Sequence, residues 1–287
     1  MFEFLIAYHG SGHGAPEHDI FIYNPQTEAH QPLAPERIEA DPAAAGAPNF
    51  IRPQLGFVSA DREGGFLYSA AIDGAARGIA RLPLSGEASC LFGHTDETAL
   101  YWPRLAPGGR RLGFLETPDE DYPPHRGGAA MLRVLEWSAN GWVPLSLALP
   151  AANAPFDWGI DDETVFLTTT DGTIEKRHLS RAANNMMQTV VGHAPTIAPQ
   201  SGALAWADGR ALHVRLAGGW RRLDAGGPIR ALCWLPDDSA IVYAEAMGQF
   251  ATEVKSWEPE REAPPKRLFR AAEIFSLGAL QRANPGR

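Results

Sequence analysis

The stretch Tyr101-Trp102-Pro103-Arg104-Leu105-Ala106-Pro107-Gly108-Gly109-Arg110-Arg111-Leu112-Gly113-Phe114-Leu115 contains a complete strand–turn–strand unit. Trp102 to Leu105 alternate apolar and polar, Pro107-Gly108-Gly109 supplies turn residues that tolerate positive φ, and Leu112 to Leu115 resume an apolar run. The unit returns as Ala231 to Tyr243 around Trp234, as Thr196 to Trp206, and more loosely as Asp157 to Leu167. The apolar position of its second strand recurs at Phe66, Leu112, Val165, Leu204 and Ile241, at intervals of about 37 to 53 residues. That period belongs to four-stranded blades, which cannot bury their faces alone and close into a ring.

Composition supports this reading. The chain has 287 residues, 45% apolar and 21% charged, enough to bury a sizeable core. Its 29 glycines and 24 prolines are spread along the whole length, which suits many short strands and leaves little room for long helices. A net charge of −9 argues against a nucleic-acid partner, because phosphate capture needs clustered Lys and Arg. Cys90 and Cys233 stand far apart without metal-ligand spacing and read as two buried free thiols. No run approaches the roughly 18 apolar residues of a membrane span. Met1 to His9 lacks a basic leader, so the expected location is the cytoplasm, or the periplasm if a signal peptide was removed.

Arg104-Leu105-Ala106-Pro107-Gly108-Gly109 and Leu232-Cys233-Trp234-Leu235-Pro236-Asp237-Asp238 resemble the Pro-x-Trp-Ser-Pro-Asp-Gly blade motif of TolB-like six-bladed β-propellers. The motif serine is replaced by Ala106 or Leu235, and its Asp-Gly pair by Gly108-Gly109 or Asp237-Asp238. Gly93-His94 and Gly192-His193 are similar to the Gly-His pair of WD-repeat blades, although no Trp-Asp dipeptide closes a third strand. Both resemblances imply an all-β propeller of antiparallel blades. Its six blades are expected at residues 1–33 with 272–280, 50–92, 94–149, 154–191, 193–223 and 227–270, all in a single domain. Residues 272–279 are expected to pair with residues 2–8 and close the ring; a terminal helix is the competing expectation, because Ala271, Ala272, Glu273 and Leu277 are good helix formers. Trp102, Trp158 and Trp234 fall at matching points of first strands and are expected in the core.

In such a blade the loop between strands two and three and the loop leaving strand four open on one face. That geometry assigns His9, His13 and His18 to a hairpin loop, His94 and His193 to blade-to-blade loops, and Asp119, Glu120, Asp121, His125 and Arg126 to an enlarged loop spanning Thr117 to Gly128. Imidazoles and carboxylates are the usual ligands of zinc and similar ions, so His9, His13 and His18 are the residues to examine for a divalent metal. Glycines in that loop and the want of a second shell argue against a tight site. Asp96, His94, His193 and the Asp119 to Arg126 cluster are the expected binding residues of the loop-rich face. Ala34 to Asn49 is expected to be a long surface connection and, with Thr117 to Gly128, a specificity element of that face. No Gly-x-Ser-x-Gly elbow exists, so no catalytic residue is assigned. The sequence therefore points to a non-catalytic platform for a protein partner, with no cofactor; the alternative is a metal-assisted hydrolase or lyase with histidines at the mouth of the central channel.

Overall fold

The computed structural model describes residues 3–12, 15–44, 46–61, 65–94, 98–118, 128–139, 141–180, 187–249 and 251–282. Among them every regular element is a strand. The first blade is assembled from both ends of the chain: β25 (Glu273–Arg282) is innermost, followed by β1 (Glu3–Gly12), β2 (Ala15–Asn24) and β3 (Ala29–Pro32). β25 runs antiparallel to β1 with Leu5 opposite Leu280 and Ile6 opposite Ala279, so the ring closes by strand pairing and no terminal helix forms.

The second blade contains β5 (Gln54–Ala60), β6 (Phe66–Asp73), β7 (Ala76–Pro83) and β8 (Ser89–His94), and β4 (Glu39–Ala40) adds a fifth strand parallel to β8. The third contains β9 (Ala99–Leu105), β10 (Arg111–Thr117), β11 (Ala129–Ser138) and β12 (Gly141–Ala152). The fourth contains β13 (Asp157–Trp158), β14 (Thr164–Thr168), β15 (Thr173–His178) and β16 (Met187–Val191). The fifth contains β17 (His193–Ile197), β18 (Leu204–Asp208), β19 (Ala211–Leu216) and β20 (Gly219–Asp224). The sixth contains β21 (Ile229–Trp234), β22 (Ile241–Ala246), β23 (Thr252–Trp257) and β24 (Lys266–Ala271).

Short β-branched and aromatic runs separated by Gly, Pro and Asp make these strands, and their apolar faces meet between blades. Trp102 and Trp158 belong to one such cluster with Phe57, Phe156 and Phe275, and Trp234 to another with Leu232, Ile241 and Tyr243. Cys90 and Cys233 are buried free thiols. The turns add polar ties. Asp162 accepts a hydrogen bond from Gly108 N at 2.7 Å, joining the third and fourth blades. Asp238 accepts from Gln200 N and Ser201 N at 3.1 and 2.6 Å, joining the fifth and sixth. Gly109 has φ +71° and Asp238 has φ +60°, so aspartate fills a left-handed turn position that glycine fills in the third blade, a conformation it tolerates better than most residues.

The segment from Ala34 to Asn49 departs from a simple surface connection. Ile38 pairs with Phe50 by reciprocal backbone bonds of 2.9 and 2.8 Å, and both side chains are fully buried. Gly141, at the tip of the β11–β12 hairpin, lies so close to the Ala43 carbonyl that a Cβ there would sit 1.6 Å from its oxygen. The linker is thus fastened along the outer edge of the second blade, because Ile38, Ala44 and Phe50 supply apolar anchors within an Ala- and Pro-rich run.

One ion network stands out in the sixth blade. The Arg270 guanidinium donates to Glu253 at 2.6 Å, and Lys255 reaches Glu253 at 3.1 Å. The hydrogen bond from Arg270, assisted by Lys255 and opposed by burial, holds the Glu253 carboxyl below its ordinary value of 4.5. A depressed carboxylate adds stability that is complete above the ordinary value and is lost as pH falls through the lowered one. Urea midpoints measured downward from neutral pH should therefore fall through the acid range, and Glu253→Gln should flatten part of that slope. A slope identical in the variant would remove Glu253 from the account.

Candidate functional site

An outer cleft and a central channel lie along the face and axis of the ring. The larger is an open cleft of about 1090 Å³ between the linker and the start of the second blade. Glu36 and Arg37 form one wall and Ile51, Arg52 and Gln54 the other, with Leu55, Gly56, Phe57 and Tyr101 as floor. Asp73 accepts from Ile51 N at 2.7 Å and fixes the second wall. Ile51 is 72% exposed, an unusual position for a large aliphatic side chain beside a concave surface.

The floor is held from below by a histidine. Phe57 has φ +55° and donates its backbone N–H to His9 Nδ1 at 3.2 Å, which makes that nitrogen an acceptor. His9 is fully buried, with Phe57 and Phe275 rings 5.3 and 5.0 Å away. A left-handed non-glycine residue costs roughly 1–2 kcal/mol, and here it belongs to a bulge that turns β5 into the channel. β9 carries a comparable bulge at Trp102, φ +53°. Ser59 Oγ then donates to Pro103 O at 2.5 Å, so the two bulged strands of neighbouring blades are tied together.

The result is a nearly closed central channel. At its throat, lined by Phe57, Ser59, Trp102, Arg104, Leu232 and Ser276, only about 10 Å³ remains open. Toward the ends of the inner strands it widens to about 50 Å³ among Asp61, Arg104, Asp157, Cys233 and Trp234. Asp157 spends its oxygens on Trp158 N, Thr196 Oγ and Ile197 N at 2.9, 3.1 and 2.8 Å, joining the fourth and fifth blades. Burial pushes the Cys233 thiol up to about 12, with Arg104 lowering it and Asp157 raising it, which favours the thiol over the thiolate near neutrality.

No family model and no curated protein matches this sequence. Among solved structures, TolB from Acinetobacter baumannii superposes with a TM-score of 0.68 at 10% identity, over 96% of this chain and 66% of that one. The chain has the TolB propeller fold. A putative 6-phosphogluconolactonase from Bacteroides fragilis superposes with a TM-score of 0.54 at 10% identity, covering 97% of this chain and 98% of that one. Identities this low speak to fold alone, and this TolB-like chain spans about two thirds of the TolB chain's length.

Within the TolB-like ring, the residues singled out in the sequence occupy unlike places. His9 belongs to β1 and not to a loop, because the ladder with β25 continues through His9 opposite Ser276. A Cβ on the adjacent Gly10 would lie 2.1 Å from the Glu273 carbonyl oxygen, so glycine there marks a close strand approach where the sequence suggested a flexible tip. Of His18 the backbone is described, in β2, and His13 lies outside the described residues. His94 ends β8 and lies 3.3 Å from Thr98 Oγ, whose hydroxyl donates to Glu116 at 3.2 Å. His193 opens β17 with Nε2 3.3 Å from the Ile229 carbonyl. Strands thus hold both residues assigned to blade-to-blade loops, each against the next blade. Asp96, Asp119, Glu120, Asp121, His125 and Arg126 lie outside the described residues. Among the described residues no three His, Cys, Asp or Glu side chains are grouped to hold a metal. Arg37 lies in the Ala34 to Asn49 segment expected to give the face its specificity, whereas Ile51 and Arg52 were not among the expected binding residues; apolar Ile38 and Phe50 are the signal that would have pointed to them.

Proposed function

We propose that this chain is a non-catalytic propeller that seats a protein partner on its loop-rich face, in the cleft between the linker wall at Glu36 and Arg37 and the wall at Ile51 and Arg52. The cleft itself carries the reading: it is open, mixed in polarity and some twentyfold larger than the roughly 50 Å³ at the widest part of the channel. Its walls are pre-formed, through the Ile38–Phe50 bridge and the Asp73 contacts, which lowers the ordering cost of binding. Arginine is enriched at interface hot spots, and the cleft carries Arg37 on one wall and Arg52 beside the exposed Ile51 on the other.

The test is affinity capture from the native lysate with the wild type and with Ile51→Asp/Arg52→Glu. The partner retained by the wild type should be lost from the double variant, whose melting temperature should stay within a few degrees because both side chains are exposed. Equal retention by both proteins would remove the cleft from the interface.

A further inference from the structure

The end of the central channel farthest from the cleft has hydrogen-bond donors without acceptors. Three buried indoles of the ring are satisfied: Trp102 donates to Asn153 Oδ1, Trp158 to the Arg104 carbonyl and Trp206 to the Val191 carbonyl, at 3.2, 2.9 and 3.1 Å. Trp234 is not. Its side chain is 5% exposed, its Nε1 is buried, and no partner for it exists among the described residues. Trp234 lines the 50 Å³ cavity together with Arg104. The Arg104 carbonyl is engaged by Trp158, but its guanidinium meets no acceptor and no ion-pair partner among the described residues.

The carboxylates of the same cavity do not fill that role. Asp157 already accepts three hydrogen bonds, and Asp61 accepts from Gly65 N at 2.9 Å. A guanidinium fork and an indole N–H are both donors only, so what is missing is an acceptor, and a planar oxyanion matches the fork best. A space of about 50 Å³ exceeds the roughly 10–15 Å³ needed by one water and suits a carboxylate group.

We propose that this cavity is a binding site for a small carboxylate, held by the Arg104 guanidinium and the Trp234 indole N–H. The site is built from the ends of all six inner strands, from Ala60 through Gly278, so its occupant touches every blade. It lies at the opposite end of the strands from the cleft and is independent of the partner reading.

The experiment titrates sodium acetate into the full chain at constant ionic strength while following the tryptophan indole N–H resonances, with Trp234 assigned by its absence in Trp234→Phe. The Trp234 resonance should move downfield and saturate, and acetate affinity should drop at least about tenfold in Arg104→Gln. Arg104→Lys should recover part of it, as a point charge without the fork. A blocked pentapeptide with a free carboxyl terminus forms the second arm: tighter binding than acetate assigns the carboxylate to a polypeptide end, and equal or weaker binding to a free small acid. Ile51→Asp/Arg52→Glu should leave the titration unchanged, which separates this site from the cleft. A Trp234 resonance that does not move, that moves as much with sodium chloride, or that moves equally in a folded Arg104→Gln protein overturns the proposal.

Discussion

Removing everything after Arg270 should abolish the cooperative unfolding transition, as followed by circular dichroism during thermal or urea denaturation. The deletion takes away β25, whose Ile274, Phe275, Leu277 and Leu280 side chains are buried at 1%, 7%, 2% and 0% exposure. At about 1.5–3 kcal/mol for each large apolar side chain, the lost burial is roughly 6–12 kcal/mol. Such a sum equals most of the roughly 5–15 kcal/mol by which a folded protein exceeds its unfolded state. It also strips β1 of its inner partner along Glu3 to Ser11. A truncated chain that melts like the intact one would show that β25 does not close the ring. Supplying residues 271–287 as a separate peptide should restore part of the transition.

The second large effect is expected at Glu245, a carboxylate with no exposure at all. It forms an ion pair with Lys255 and accepts from Gly226 N at 3.1 Å, fastening the connection between the fifth and sixth blades to β22. Glu245→Ala leaves Lys255 with Glu253 as its remaining carboxylate and removes the acceptor of the Gly226 N–H, a loss of about 1–3 kcal/mol. For a chain of this size that lowers the melting temperature by about 3–10 °C. The double variant Glu245→Leu/Lys255→Met should recover much of the loss, since an apolar pair of similar volume avoids the desolvation of two charges. If the single variant melted within about two degrees of the wild type, the pair would be mere decoration. If the double variant were the worse of the two, packing and not charge would govern the site.

The fold was legible because its determinants are local. Pro107-Gly108-Gly109 and Pro236-Asp237-Asp238 make their turns wherever they occur, and the apolar second-strand positions that follow them, Leu112 and Ile241 among them, reported the blade period. The leftover apolar residues from Ile274 to Leu280 were legible for a similar reason, as an inner strand without a blade. The candidate site depends on contacts between distant segments. His9 beside Gly10 reads as a loop until Glu273 is brought alongside it. β4 is two residues long, and nothing within Glu39-Ala40 announces that it will pair with Ser89 and Cys90. Arg104 and Trp234 looked like ordinary blade positions; only their joint approach to the axis distinguishes them.

The shared blade also bears on how the protein is made. Leu5 emerges from the ribosome well before Leu280 and must wait for it, with five blades synthesised in between. During that interval β1 offers an unpaired edge and the apolar side chains of Leu5 and Ile6, while the later blades can form from neighbouring segments as they appear. Ring closure is therefore the slow, long-range step of folding. Newly made protein is most vulnerable to strand-edge association until β25 is available, and anything that slows translation between β1 and β25 lengthens that exposure.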